Sequence, residues 1–160
     1  MSTWNERIEA VWRDEALTDA ERIERIDHLA AERDPEDAQA LFERAGARDA
    51  AGREAEAEPL YRAALAAGLD DDLRAQAVIQ LGSTLRNLGR IEESLEMLGE
   101  ERRRGGPLAE AASAFYALSL ASHGDAAASV AVALEALAPH LPMYGRSVLA
   151  YARELADPPR

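Results

Sequence analysis

LGSTLRNLGRIEESLEML, residues 81–98, decides the fold. Upstream of its central glycine, Val78, Leu81, Leu85 and Leu88 recur at three- and four-residue spacing, which is one face of a helix. Gly89 can adopt the left-handed conformation that ends such a helix. Downstream, Ile91, Leu95 and Leu98 form the apolar face of a second helix, with Glu92, Glu93 and Glu96 outward. Glu92 and Glu93 fall in its first turn, where negative charge suits the helix dipole. Small residues, Gly82 and Ser94, fall where the two helices would touch. The stretch predicts an antiparallel helix hairpin running from about Leu73 to Arg103.

Similar hairpins flank it. Helix 36–50 places Ala38, Leu41, Phe42, Ala45 and either Ala47 or Arg48 inward and breaks at Gly52. Helix 54–67 carries Ala57, Leu60, Tyr61, Ala64 and Leu65, with Pro59 close enough to its start to be tolerated. Asp70, Asp71 and Asp72 precede the central hairpin. They lack the alternating spacing, glycine and distal glutamate of a calcium loop and read as helix caps. Arg102, Arg103 and Arg104 close the central hairpin, where cations offset the dipole at a helix C-terminus. The third hairpin spans 108–122 and 125–138, with a break at Gly124 and with Val130, Val132, Ala133, Leu134 and Leu137 filling its second helix. Pro139 and Pro142 stop it. A last helix, about 143–156, shows Tyr144, Val148, Leu149, Tyr151, Ala152 and Leu155. Arg146, Arg153 and Glu154 mark it as a solvent-facing cap, and residues 157–160 read as a frayed tail. Before the repeats, Thr3 caps a helix carrying Trp4, Ile8, Val11 and Trp12. Thr18 with Glu21 forms a capping box ahead of Ile23, Ile26, Leu29 and Ala30. The two tryptophans, at helical spacing, read as packing anchors.

The breaks at Gly52, Gly89 and Gly124 are 37 and 35 residues apart. This period resembles the tetratricopeptide repeat, which is about 34 residues, and the side chains carry the resemblance further. Family first helices take small or apolar residues at the fourth, seventh, eighth and eleventh positions. The central repeat supplies Val78, Leu81, Gly82 and Leu85. Family second helices take a small residue, then a large one four later, then alanine, matched by Ala57, Tyr61 and Ala64. Ser94, Leu98 and Glu101 depart at the last position, and Ser129, Ala133 and Ala136 match loosely. Arg44 and Arg48 stand where apolar or aromatic residues are usual. The resemblance implies an all-α superhelix, a solenoid of antiparallel helix hairpins. Residues 1–34 would be N-terminal helices packed on the stack, 35–142 three repeats, and 143–160 a capping helix and tail. In such a stack no hairpin buries its apolar face alone.

The resemblance also implies use. The family mostly binds peptides or protein segments in a concave groove lined by the first helix of each repeat. Those positions here are Gln39, Phe42, Glu43, Gly46 and Asp49, then Gln76, Ile79, Gln80, Ser83, Arg86 and Asn87, then Ala111, Ala114, Phe115 and Leu118. Gln76, Gln80, Ser83, Arg86 and Asn87 form a polar ladder suited to a peptide backbone. Phe42 and Phe115 fit the core equally well. The family's carboxylate clamp needs lysines and asparagines where this chain has Phe42, Gly46, Gln80, Ala111 and Phe115, so chaperone-tail binding is not implied.

Composition narrows the remaining classes. A chain of 160 residues suggests one domain, burying roughly 70% of its unfolded surface. Ala, Leu, Glu and Arg favour helix nearly throughout. The net charge of −12 argues against nucleic acid and anionic membranes, and no apolar run approaches the ~18 residues of a membrane span. With no lysine and no cysteine, Schiff bases, thiolate nucleophiles and thiolate metal sites are excluded. The opening MSTWNERIEAVW is charged and lacks an apolar segment, so no signal peptide is expected, and the cytoplasm is the expected compartment. His28, His123 and His140 show no paired ligand spacing, and no nucleophile elbow or phosphate loop occurs. The expectation is an interaction scaffold with a protein or peptide partner and no cofactor or catalytic residue. The alternative is a homodimer packing through Trp4 and Trp12 or the last helix, with a small enzyme last.

Overall fold

The computed structural model of the chain describes residues 2–157; the expected tail therefore lies, from residue 158 on, outside the described residues. Among these are nine α-helices and no strand. They are α1 (Trp4–Arg13), α2 (Asp19–Ala30), α3 (Ala38–Ala50), α4 (Glu54–Ala67), α5 (Asp71–Asn87), α6 (Ile91–Arg104), α7 (Ala109–His123), α8 (Ala126–Leu137) and α9 (Gly145–Ala156), with a 3-10 turn at Ala138–His140. The chain divides inside α5 into two compact units, Met1–Thr84 and Leu85–Arg160. Length alone suggests one domain, but a chain whose helices touch mainly their neighbours has no single centre to gather round.

In the first unit, α1 and α2 each open with a full capping box, Thr3 with Glu6 and Thr18 with Glu21. Ile8, Val11, Ile23, Ile26, Leu29 and Ala47 are buried together, and Trp4 and Trp12 pack against them. The Trp4 indole N–H donates to the Leu29 carbonyl at 2.8 Å, and Arg33 stacks over its ring at 4.0 Å. Both tryptophans are thus engaged inside the unit. α3 and α4 form the tightest hairpin, with Ala45, Ala57, Ala64 and Tyr61 wholly buried and Phe42 tilted against Tyr61 at 6.2 Å between ring centroids. Pro59 lies inside α4 and is exposed. Asp70 caps α5 by accepting from the Leu73 N–H at 2.9 Å.

Arg44 and Arg48, the departures from the repeat pattern, both hold Asp27 of α2, at 2.9 and 2.7 Å. Here an ion pair joins α2 to α3 where the family uses apolar contact. Burial alone would raise the Asp27 carboxyl, but hydrogen bonds from Arg48 and Arg44 outweigh it and hold it below the usual carboxylate range.

In the second unit, Ala117, Leu120 and Val132 are buried together, with Leu95, Tyr116 and Ala128 against them. Ser94 of α6 meets Ser119 of α7, hydroxyl to hydroxyl, at 2.9 Å. Gly99 lets the Tyr116 ring approach so closely that an added Cβ would lie 3.2 Å from it. Arg102 pairs with Glu135 at 3.0 Å and sits over the Tyr116 ring. Glu101, in a position that favours alanine, is buried.

Several expectations need correction. α5 begins two residues earlier than expected and stops before Leu88, which lies exposed in the turn rather than inward. Val130, Ala133 and Leu137 do not fill their helix: Ala133 is exposed, and the other two are about half exposed, at 49% and 48%. α9 starts at Gly145 because Tyr144 is left-handed, with φ of 68°. It docks through Ala152, with Val148 and Leu149 half-buried, and leaves Tyr144, Tyr151 and Leu155 in solvent. The expected cap is therefore apolar on an exposed side.

Two measurements check this packing. Leu98 is fully buried, so Leu98→Ala is expected to cost ~2–5 kcal/mol in denaturant unfolding. Asp27→Ala is expected to destabilise at pH 7. Because the Asp27 carboxyl is held low, its contribution is present above the unfolded-state pKa and is lost as pH falls through the folded one. The difference from wild type in thermal melts should therefore shrink on acidification.

Candidate functional site

In the first unit, one face is built by α1, α3 and the part of α5 up to Thr84. α3 presents Gln39, Glu43, Gly46 and Asp49 at the spacing of one helical side. α5 presents Gln76, Gln80 and Ser83. Trp12 of α1 reaches this face, its indole N–H donating to Glu43 Oε2 at 2.7 Å. Gly46 makes room for it: an added Cβ would lie 3.5 Å from the Trp12 ring and 3.8 Å from Gln80 Oε1.

Beneath lies a cluster of polar groups, in which Tyr61 and Thr84 are fully buried and Asp49 and Gln80 half-buried. The Tyr61 hydroxyl, rising from α4, touches the Gln80 side-chain oxygen and lies 3.3 Å from Asp49 Oδ2. The Thr84 hydroxyl lies 3.0 Å from Asp49 Oδ1 and 2.9 Å from the Gln80 carbonyl. Each hydroxyl has one proton and two acceptors within reach, so the cluster is rich in acceptors and short of donors.

The electrostatics follow. Burial pushes the Glu43 carboxyl up, and the Trp12 hydrogen bond opposes it only in part. Burial likewise pushes Asp49 up, against the hydrogen bonds from Thr84 and Tyr61. Burial and then the Asp49 charge push the Tyr61 hydroxyl far above its usual range. Neither Glu43 nor Asp49 makes an ion pair among the described residues. Two desolvated carboxylates thus share one face without a cation of their own. Their chemistry is that of an acceptor for a positively charged or strongly donating group.

The positions expected from sequence are distributed unevenly. Gln39, Glu43, Gln80 and Ser83 are half-buried and Gln76 is exposed. Phe42 and Ile79 are corrected to core residues, only 6% and 5% exposed; each lies one position off the polar side of its helix and is turned into the packing. Arg86, Asn87, Phe115 and Leu118 belong to the second unit. There Arg86 donates to Asn87 at 3.1 Å, Phe115 is half-buried, and Leu118 is exposed. Sequence reading missed Thr84 and the Tyr61 hydroxyl, because helical periodicity marks a tyrosine as core without saying where its oxygen points. Among the described residues, no three His, Asp or Glu side chains converge as a metal would need.

The buried charge on Glu43 gives a test. Glu43→Gln keeps an acceptor for Trp12 and removes the charge. Because the carboxyl is raised in the folded state, the cost of ionising it is absent below the unfolded-state pKa, grows as pH rises towards the folded one, and is full above that. Glu43→Gln should melt higher than wild type at pH 7, and the gain should vanish near pH 4, about the unperturbed value for glutamate, in parallel thermal scans.

No match exists among curated proteins or solved structures. A family model described as "Tetratrico peptide repeat" matches residues 38–155, from the start of α3 to the end of α9. With well over half of its length matched, and with helix hairpins built on small residues at the expected positions, the chain belongs to the tetratricopeptide-repeat family.

Proposed function

We propose that this protein is a scaffold that binds an extended peptide or partner helix on the face carried by the first helices of its repeats. Members of this family are generally protein-interaction modules, and no helix among the described residues is long and apolar enough to cross a membrane. The observation that carries the reading is the pair Glu43 and Asp49. Both are desolvated, both are raised by burial, and both sit beside the amides of Gln39 and Gln80 on rigid helices. A carboxylate left buried without a counter-charge lowers stability, and an arriving guanidinium or ammonium group would restore it. The partner is therefore read as a segment bearing arginine or lysine, steered in by the net charge of −12. Gln76 and Ser83 would supply hydrogen bonds to its backbone. In the second unit, Arg86, Asn87, Phe115 and Leu118 are read as a contact surface of that unit by itself, with Arg86 Nε lacking an acceptor among the described residues.

Selection from a random displayed-peptide library tests this. Enriched peptides should carry arginine or lysine, and Glu43→Gln with Asp49→Asn should weaken their binding at least about tenfold, one lost charge-assisted contact. The circular dichroism spectrum should be unchanged. Enriched peptides lacking cations, or equal binding by the double variant, would overturn the assignment.

A further inference from the structure

The second unit ends in a surface that its own fold leaves open. α9 packs on α8 and on the 3-10 turn, with Ala152 fully buried. Next to that buried side runs a second apolar line: Tyr144, Val148, Tyr151 and Leu155. Val148 is half-buried, while Tyr144, Tyr151 and Leu155 are 73%, 64% and 43% exposed. At 100° per residue Val148, Tyr151 and Leu155 fall within one narrow sector of the helix, and Tyr144 stands at its N-terminal cap. Arg146 and Arg153 fall on the opposite side, and only Glu154 and Ser147 flank the line.

Three features say what covers it. First, the spacing is four, three, four. It reads the same from either end, so two copies of α9 laid antiparallel set Tyr144 against Leu155 of the second copy and Val148 against its Tyr151. A twofold interface needs such self-complementarity. Second, the charge permits it. Residues 126–156 carry two arginines, Arg146 and Arg153, against two glutamates, Glu135 and Glu154, and so are neutral in a chain of net charge −12. A second copy meets little repulsion here. Third, Tyr144 holds a φ of 68°, a conformation uncommon and costly for residues other than glycine. Nothing in the unit covers the ring that this conformation presents. Gly145 follows because an added Cβ there would stand 2.5 Å from the Ala138 carbonyl oxygen, so α9 is seated on backbone and the stripe is held at a fixed angle.

We infer that the Tyr144–Val148–Tyr151–Leu155 stripe is a homodimer contact in which α9 pairs antiparallel with α9 of a second copy. It is independent of the peptide-binding face, which lies on other helices. A single helix pair falls short of the ~800 Å² per partner of a standard interface, so association is weak.

Sedimentation equilibrium across about 1–300 μM tests it, a range spanning a dissociation constant on the order of tens of micromolar. Wild type should pass from monomer to dimer. Tyr151→Glu and Leu155→Glu should each weaken association at least about tenfold while leaving helicity and melting temperature unchanged, since both side chains stand in solvent. The chain has no cysteine, which allows a test of register. Val148→Cys mixed with an equal amount of Tyr151→Cys should give the mixed disulfide well beyond the one half that random pairing alone produces. A monomer at every concentration, a dimer indifferent to both glutamate variants, or a mixed share at or below one half would overturn the inference.

Discussion

Everything in this fold depends on how closely neighbouring helices can approach. Among the described residues no helix exceeds 17 residues, and helices of about this length are marginal in water by themselves. They persist because small residues let one backbone lie near the next. Ala45, Ala57 and Ala64 are wholly buried where α3 meets α4. Gly99 accepts the Tyr116 ring, and Ser94 meets Ser119 directly. An alanine methyl contributes little hydrophobic area of its own. Its value is that larger neighbours, such as Tyr61 and Leu98, close around it without a void.

Polar residues inside this framework divide by whether the fold supplies their partner. Arg44 and Arg48 break the apolar pattern of α3, yet both find Asp27. The serines of α6 and α7 satisfy one another, and Ser119 also donates to the Phe115 carbonyl at 3.1 Å. The Trp4 indole is bonded to backbone. These groups carry a complete internal account, because a buried donor or acceptor is tolerable once it is hydrogen-bonded.

Much of this was legible in the sequence. Glycine breaks at near-equal intervals, capping boxes at Thr18 and a cap at Thr3, and the apolar spacing around Leu81, Leu85 and Leu98 gave the helices and the family. Those signals are local, and local signals survive folding in an all-helical chain. The polar side of α3 and α5 was legible only as a helical register. Periodicity put Phe42 and Ile79 beside Glu43 and Gln80, because neighbours one position apart differ by 100° and the boundary between inside and outside falls between them. The pairing of Asp27 with Arg44 and Arg48, and that of Trp12 with Glu43, link residues far apart in sequence and have no local mark. The open side of α9 was hidden for another reason. Its arginines and glutamate announce a solvated helix, and only coordinates reveal that a second, apolar line stays uncovered.

At Glu43, Asp49 and Tyr144 a local rule is broken and only partly compensated inside the fold, and such places are where function is expected. Stability does not account for Glu43 and Asp49. Glutamine and asparagine would offer acceptors to Trp12, Thr84 and Tyr61 without the burden of desolvated charge, and burial already drives both carboxyls toward the neutral form. Stability does not account for Tyr144 either, since glycine adopts its backbone conformation freely and the ring makes no contribution to its own unit's core. The contrast with Asp27 is instructive. A carboxylate that serves the fold is held below its usual range by cations the fold provides, whereas the two that face outward are held above it. The direction of the shift separates a charge held between cations of the fold from charges held by neutral donors alone.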